Sequence, residues 1–465
     1  QSPHAHGALS EAWTALGYPQ RAREEARRAF ELAAALAPAQ RDAIEARFRE
    51  SVGEWPRAAE LYRGLYLAAP DDLATGLRYV AALTSAGRWE EAEAALRGLR
   101  QLPPPAGNDP RIAIAGATEA AARGDYRRQL EEAQTAARGA ETIGAKLLVA
   151  QARIAEAWAQ RNLGRPNDAE LAAEAARKIY SEQGDRGGET QALLAQAGAA
   201  FDRGDLATAA ARAESALERA REVSDSTGVA SALNTLAVVV RNQGDLKRAR
   251  ELYGQALSTA RETGDRGSEA SILGNLGTIL VQQGQLSAAT SQLDQALALW
   301  KELGDTNGEA SIHNTRGLLL ERRGAFAEAL GAFDQALTLR RQSGQKAGEL
   351  VALNGLGRVS FAQGDVAAAL QRFQEALDGC RQASSRGCAA RALAGLGDVA
   401  LASGDTTQAR ARHEEALKSR QEAGEVLGVA ESRLALAHVL LVEGKPREAA
   451  AAARAHTRSG STSTR

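Results

Sequence analysis

Apolar residues recur along this chain in steps of three and four. Ala230, Leu233, Leu236, Ala237 and Val240 form one stripe, and Leu246, Ala249, Leu252, Tyr253, Ala256, Leu257 and Ala260 form a second. This spacing predicts two amphipathic helices, each with one face toward a core. Gly244-Asp245 separates them, a residue that ends a helix in the left-handed region followed by one that caps the next. Gly264, Asp265 and Gly267 mark the turn into the next copy, so the predicted unit is helix A, turn, helix B, turn.

The unit repeats. Glycine recurs every forty residues from Gly124 through Gly164, Gly204 and Gly244 to Gly444. Five residues later stands an alanine column, Ala169 to Ala449, and twelve later another, Ala176 to Ala416. Helices that cross closely need small side chains at the crossing, which places these alanines at the seams. Nearer the N-terminus the spacing is shorter: Gly17, Gly53 and Gly87 are followed by Ala22, Ala58 and Ala92. The expected organisation is residues 1–102 in units of 34–36 residues, a Pro-rich connector over 103–110, forty-residue units over 111–456, and a disordered tail over 457–465 that lacks any apolar pattern. The connector is a candidate bend between two sub-solenoids; a longer loop between repeats is the alternative. Asp109-Pro110 suits a helix N-cap and its first residue. The last unit is expected to lack most of helix B.

Helix-turn-helix units with "ALNTLAVVV" (Ala232 to Val240), Gly-Asp and "A…Y..AL" resemble tetratricopeptide repeats. The forty-residue form, with "GDRGSEA" (Gly264 to Ala270) between units, is similar to kinesin light chains, GoLoco-binding adaptors and bacterial maltose-activator-type regulators. "GEWPRAAELYRGLYLAAPDD" (Gly53 to Asp72) resembles the ordinary second helix of the shorter repeat. The resemblance implies an all-α, right-handed superhelical solenoid of about twelve units. Its order of short and long repeats also resembles the C-terminal portion of bacterial signalling proteins that begin with a serine/threonine kinase or a DNA-binding domain.

Composition narrows the function. A formal net charge of −1 with mixed signs lacks the basic stripe that nucleic acid requires. The longest apolar run, Leu434 to Val442, is half what spans a bilayer, so no membrane segment is expected. The chain begins at Gln1 and contains no Met, as a piece of a longer protein would. Its two cysteines, Cys380 and Cys388, are too few for a disulfide framework or a zinc site and are expected as free thiols packed like small apolar residues. His4 and His6 form a weak metal pattern, expected to be a solvated end. His413 falls in the column of Tyr253, Phe333 and Phe373 and is expected in the core. Arg316 stands in a leucine column and must reach solvent or an acidic partner. No phosphate loop, metalloprotease motif or grouped nucleophile and base is present, so neither enzymatic activity nor a cofactor is expected.

Binding is what a curved stack offers. The resemblance implies that helix A lines the concave side. Carried onto this chain, the candidate peptide-binding residues are Asn234, Arg241, Asn242, Gln282, Asn314, Arg322, Asn354 and Arg358. Asn354 and Arg358 are four apart and share a face. An amide donates and accepts at once, matching a peptide backbone, and arginine favours carboxylates. Polar residues on any wetted helix face would read alike. The expected function is a cytoplasmic scaffold for a protein or peptide partner; the alternative is a module that senses a small ligand and controls an attached kinase or DNA-binding domain.

Overall fold

A computed structural model describes residues 2–15, 18–343, 345–382, 385–422 and 425–459. Twenty-four α-helices follow one another among them, and no strand occurs. We number them α1 (Pro3–Ala15) to α24 (Pro446–Ser459) in chain order. Consecutive helices pack as antiparallel hairpins, and each hairpin stacks on the next, giving twelve units. The accessible surface of 21665 Å² exceeds the roughly 17,000 Å² of a globule of this mass, as a stack with a hollow must.

Local chemistry sets the unit. The glycine between helix A and helix B is left-handed throughout the forty-residue column, with φ from 73° to 92° at Gly124 through Gly444 where described. Aspartates cap the helices that follow. Asp245 accepts from the Arg248 amide at 2.9 Å, and Asp185, Asp225, Asp265 and Asp305 cap the starts of successive A helices. In the last units Gln345, Ser385 and Glu425 replace these aspartates and make no side-chain cap bond. The alanine columns are the seams. From Ala169 to Ala409, and from Ala176 to Ala416, every member is fully buried.

Four successive hairpins, from α15 to α22, are closed by a large side chain of helix B resting on a glycine of helix A. A Cβ added at Gly317 would lie 2.6 Å from the Phe333 ring, and one at Gly277 equally close to Leu293. A second contact onto glycine joins helix B to the next helix A at five seams. Residues eight apart meet there: Tyr180 on Gly188, Ala220 on Gly228, Trp300 on Gly308, Arg340 on Gly348 and Arg420 on Gly428.

Several expectations are corrected. Cys380 and Cys388 are not free thiols but a disulfide with Cα atoms 5.6 Å apart. They occupy the same eight-apart column, at the seam of α20 (Val366–Gln382) and α21 (Arg386–Ala402). His6 is not a solvated end: it is buried, and its Nδ1 lies 2.6 Å from Glu25 Oε2. The last unit has its helix B, since α24 runs to Ser459, taking in the first residues of the expected tail. Residues 460–465 lie outside the described residues, as does Gly17. Arg316 takes the acidic-partner route, reaching Asp294 at 2.7 Å. At the connector, Asp109 caps α7 (Pro110–Arg123) with Pro110 in the first turn, and α7 packs on both helices of the preceding hairpin.

The stack curls until it meets itself. Arg23 of α2 (Pro19–Leu32) donates to the carbonyl of Gly264, at the end of α14 (Leu246–Thr263). Gln345 Nε2 donates to Ala122 O at 3.2 Å, and Leu303 comes against Gly53. Each pair is six hairpins apart, so six units make one superhelical turn.

Candidate functional site

Curling encloses an axial channel of about 1430 Å³. Its wall is mainly helix A of eight successive units, from α9 (Lys146–Asn162) to α23 (Val426–Val442). Arg161 and Arg391, from opposite ends of this run, line the same hollow.

Seven of the eight candidate residues lie in the channel wall: Arg241, Asn242, Gln282, Asn314, Arg322, Asn354 and Arg358. Asn234 is not among the lining side chains; its Oδ1 accepts from Asn275 Nδ2 at 3.0 Å, a link between neighbouring A helices. Arg241 and Arg322 reach the hollow with no ion pair among the described residues, whereas Arg358 is held by both oxygens of Glu321, at 3.1 and 2.8 Å. Asn354 is almost wholly buried. Its Nδ2 donates to Leu350 O at 3.0 Å and approaches Cys388 Sγ at 3.7 Å, leaving its Oδ1 without a partner. Asn314 Oδ1 is likewise unpartnered. Unpaired buried acceptors are uncommon, and these two mark places where a donor would be welcome.

Sequence reasoning missed the C-terminal end of the channel. Arg391 projects into the hollow, encircled by protein yet 44 % exposed to the solvent inside it. It makes no hydrogen bond among the described residues, and its nearest acid, Glu425, stands 3.8 Å away. Enclosure lowers its pKa, and Arg420 and Arg358 add to that. Beside it, Asp398 Oδ1 lies 3.5 Å from His413 Nε2. Burial pushes Asp398 up to about 6, against the pull of His438 and Arg420. Burial, then Arg420 and His438, push His413 down to about 4. His413 does sit in the core on Gly397, but neither ring nitrogen has a hydrogen-bond partner. The Arg391 position is helix A's inward column, also occupied by Ser231, Ser271 and Ser311, so extending that column two units would have found it.

A smaller pocket of about 460 Å³ lies between α7 and α9, against Trp158, Tyr126 and Gln129. Gln129 interrupts the alanine column; its Nε2 donates to Ala155 O at 3.2 Å and its Oε1 is unpartnered. Among the described residues there is no group of acidic, histidine and cysteine side chains that could hold a metal, and no helix long and apolar enough to cross a membrane.

Tetratricopeptide repeat models match residues 189–262, 228–302, 268–342, 308–382 and 348–422, and a further one matches 394–464. No curated protein matches the chain. Among solved structures, a Rap protein complexed with Competence and Sporulation Factor aligns with a TM-score of 0.55 at 14% identity, over 75% of this chain and 99% of that one. The Rap conjugation gene regulator of the plasmid pLS20, in complex with the Phr* peptide, aligns with a TM-score of 0.50 at 13% identity, over 83% and 97%. These likenesses concern the fold. The repeat models, covering half of the residues in register with the helix pairs, show that the chain belongs to the tetratricopeptide repeat family.

Proposed function

We propose that this protein is a non-catalytic scaffold whose axial channel holds an extended or helical segment of a partner protein. The observation that carries this reading is the channel itself. Its 1430 Å³ exceeds the roughly 300–1,000 Å³ of small-molecule pockets, and two helix-A columns bring polar side chains into its wall from successive units, Asn242, Gln282 and Arg322 in one and Asn314 and Asn354 in the other. Asn314 and Asn354 offer acceptors to backbone amides, and Arg241, Arg322 and Arg358 offer donors to carbonyls and carboxylates. The two Rap-type structures of similar fold were solved with a peptide or a factor bound, which fits such a use. The setting we infer is a cytoplasmic bacterial signalling protein with further domains.

Replacing Asn314, Asn354 and Arg358 together by Ala tests the assignment. A partner captured by the parent chain should lose at least tenfold in affinity, about 1.4 kcal/mol. Unchanged capture would remove the channel from the reading.

The 460 Å³ pocket favours a second reading, ligand sensing, because its size and its aromatic wall suit a small molecule. A thermal-shift screen against metabolites, run beside a pull-down, separates the two. A metabolite shift abolished by Trp158→Ala supports sensing; a captured protein lost in the triple variant supports the scaffold.

A further inference from the structure

The eight-apart seam column contains one covalent member. At five other seams of the forty-residue units a side chain of helix B rests on a glycine of the next helix A: Tyr180 on Gly188, Ala220 on Gly228, Trp300 on Gly308, Arg340 on Gly348 and Arg420 on Gly428. At the α20–α21 seam the same positions are Cys380 and Cys388, the only cysteines in the chain, and they are bonded. The bond therefore sits where the repeat already brings two residues into contact. Ala220 on Gly228 shows that the seam also packs without it.

What the bond touches gives it a consequence. Cys388 Sγ is a neighbour of Asn354 Nδ2, at 3.7 Å, and Asn354 belongs to the channel wall on α19 (Lys346–Ala362). Arg391, one helical turn beyond Cys388 on α21, projects into the same hollow. Three helices that present channel side chains, or support them, are thus tied at one point. Both sulfurs are buried within one core cluster with Phe373, Leu377 and Leu393, so a reductant reaches them only when the seam opens.

We propose that Cys380–Cys388 is a reversible redox site that sets how firmly α19 to α21 hold Asn354 and Arg391 in the channel wall. A dithiol reductant supplies two electrons and two protons. The S–S bond becomes two S–H groups, and the reductant leaves as its own disulfide, by way of a mixed disulfide. The α20–α21 crossing then rests on packing alone, like the other seams. This goes beyond the scaffold reading and does not depend on any partner.

The test uses the whole chain and dithiothreitol. Thiols are titrated in denaturant before and after reduction, and amide hydrogen exchange is compared across all units. The oxidised chain should show no free thiol and the reduced chain two. Exchange should accelerate within α19 to α21, on the order of tenfold to a hundredfold for a loop this short, and stay unchanged in α11 to α16. The double variant Cys380→Ala, Cys388→Gly reproduces the Ala220–Gly228 seam; it should exchange like the reduced chain and ignore dithiothreitol. Two thiols in the protein before reduction would overturn the proposal. So would exchange in α19 to α21 that reduction leaves unaltered, or an acceleration spread evenly over all units.

Discussion

Phe373 occupies the space that a side chain on Gly357 would need: a Cβ added there would stand 2.7 Å from the ring. The two residues come from the facing helices of one hairpin, and Phe373 is fully buried. Gly357→Ala should therefore force the ring off its seat and destabilise the protein by about 1–3 kcal/mol, the usual cost of overpacking. A thermal melt that superimposed on the parent's would show that the hairpin has room to spare. Helix propensity alone would have the opposite sign, since alanine favours a helix over glycine by about 1 kcal/mol.

Ala325 caps α18 (Phe326–Gln342) without a side-chain bond, whereas Asp205, Asp245, Asp365 and Asp405 each accept from an amide three residues on. Its backbone, with φ −81° and ψ 63°, is close to that of Asp205, at −82° and 75°. Ala325→Asp should restore the cap and add about 0.5–2 kcal/mol of stability. Chemical denaturation measures it, and an unmoved midpoint would mean that water already satisfies those amides.

Asp398 and His413 pull stability in opposite directions as pH falls. Folded Asp398, with its pKa pushed up to about 6, takes a proton that the unfolded chain refuses until nearer 4, so acidification through that window favours the fold. Folded His413, pushed down to about 4, refuses a proton that the unfolded chain accepts near 6.5, so acidification below 6.5 disfavours it. Each variant should unmask the other group. His413→Phe, the residue its column carries at 333 and 373, should gain stability on the parent as pH falls from 6.5 to 4.5. Asp398→Asn should lose ground over the same range. Melting curves of all three proteins at several pH values check this, and parallel profiles would mean that neither group is held as described.

The contacts across the superhelical turn are few, and two of them are side-chain hydrogen bonds to main-chain oxygens, from Arg23 and Gln345. Arg23→Ala with Gln345→Ala should loosen the turn and raise the radius of gyration in solution scattering, while each hairpin stays folded by circular dichroism. An unchanged radius would show that the crossing angles between hairpins hold the pitch unaided.

Helix positions, the twelve hairpins and the seams were legible in the sequence because each is enforced within forty residues. Ala249 is small because a neighbouring helix lies against it, and Gly244 is glycine because its φ is 92°. The Asn–Arg face of α19 was legible for the same reason. What escaped was of two kinds. The Cys380–Cys388 bond was visible in the column that pairs Tyr180 with Gly188, yet counting cysteines hid it. The meeting of Arg23 with Gly264 had no sequence signal. It arises from small rotations summed over six hairpins between residues 241 apart, and no local pattern records that sum.

That meeting has a bearing on how the chain can change length. Arg23 grips a main-chain oxygen, not a particular side chain, and the forty-residue copy presents an equivalent oxygen again at Gly304. Duplicating or deleting one whole copy between the two partners would bring a like oxygen to the same guanidinium. Gaining or losing half a copy would present the wrong surface, so the spiral admits growth in whole steps only.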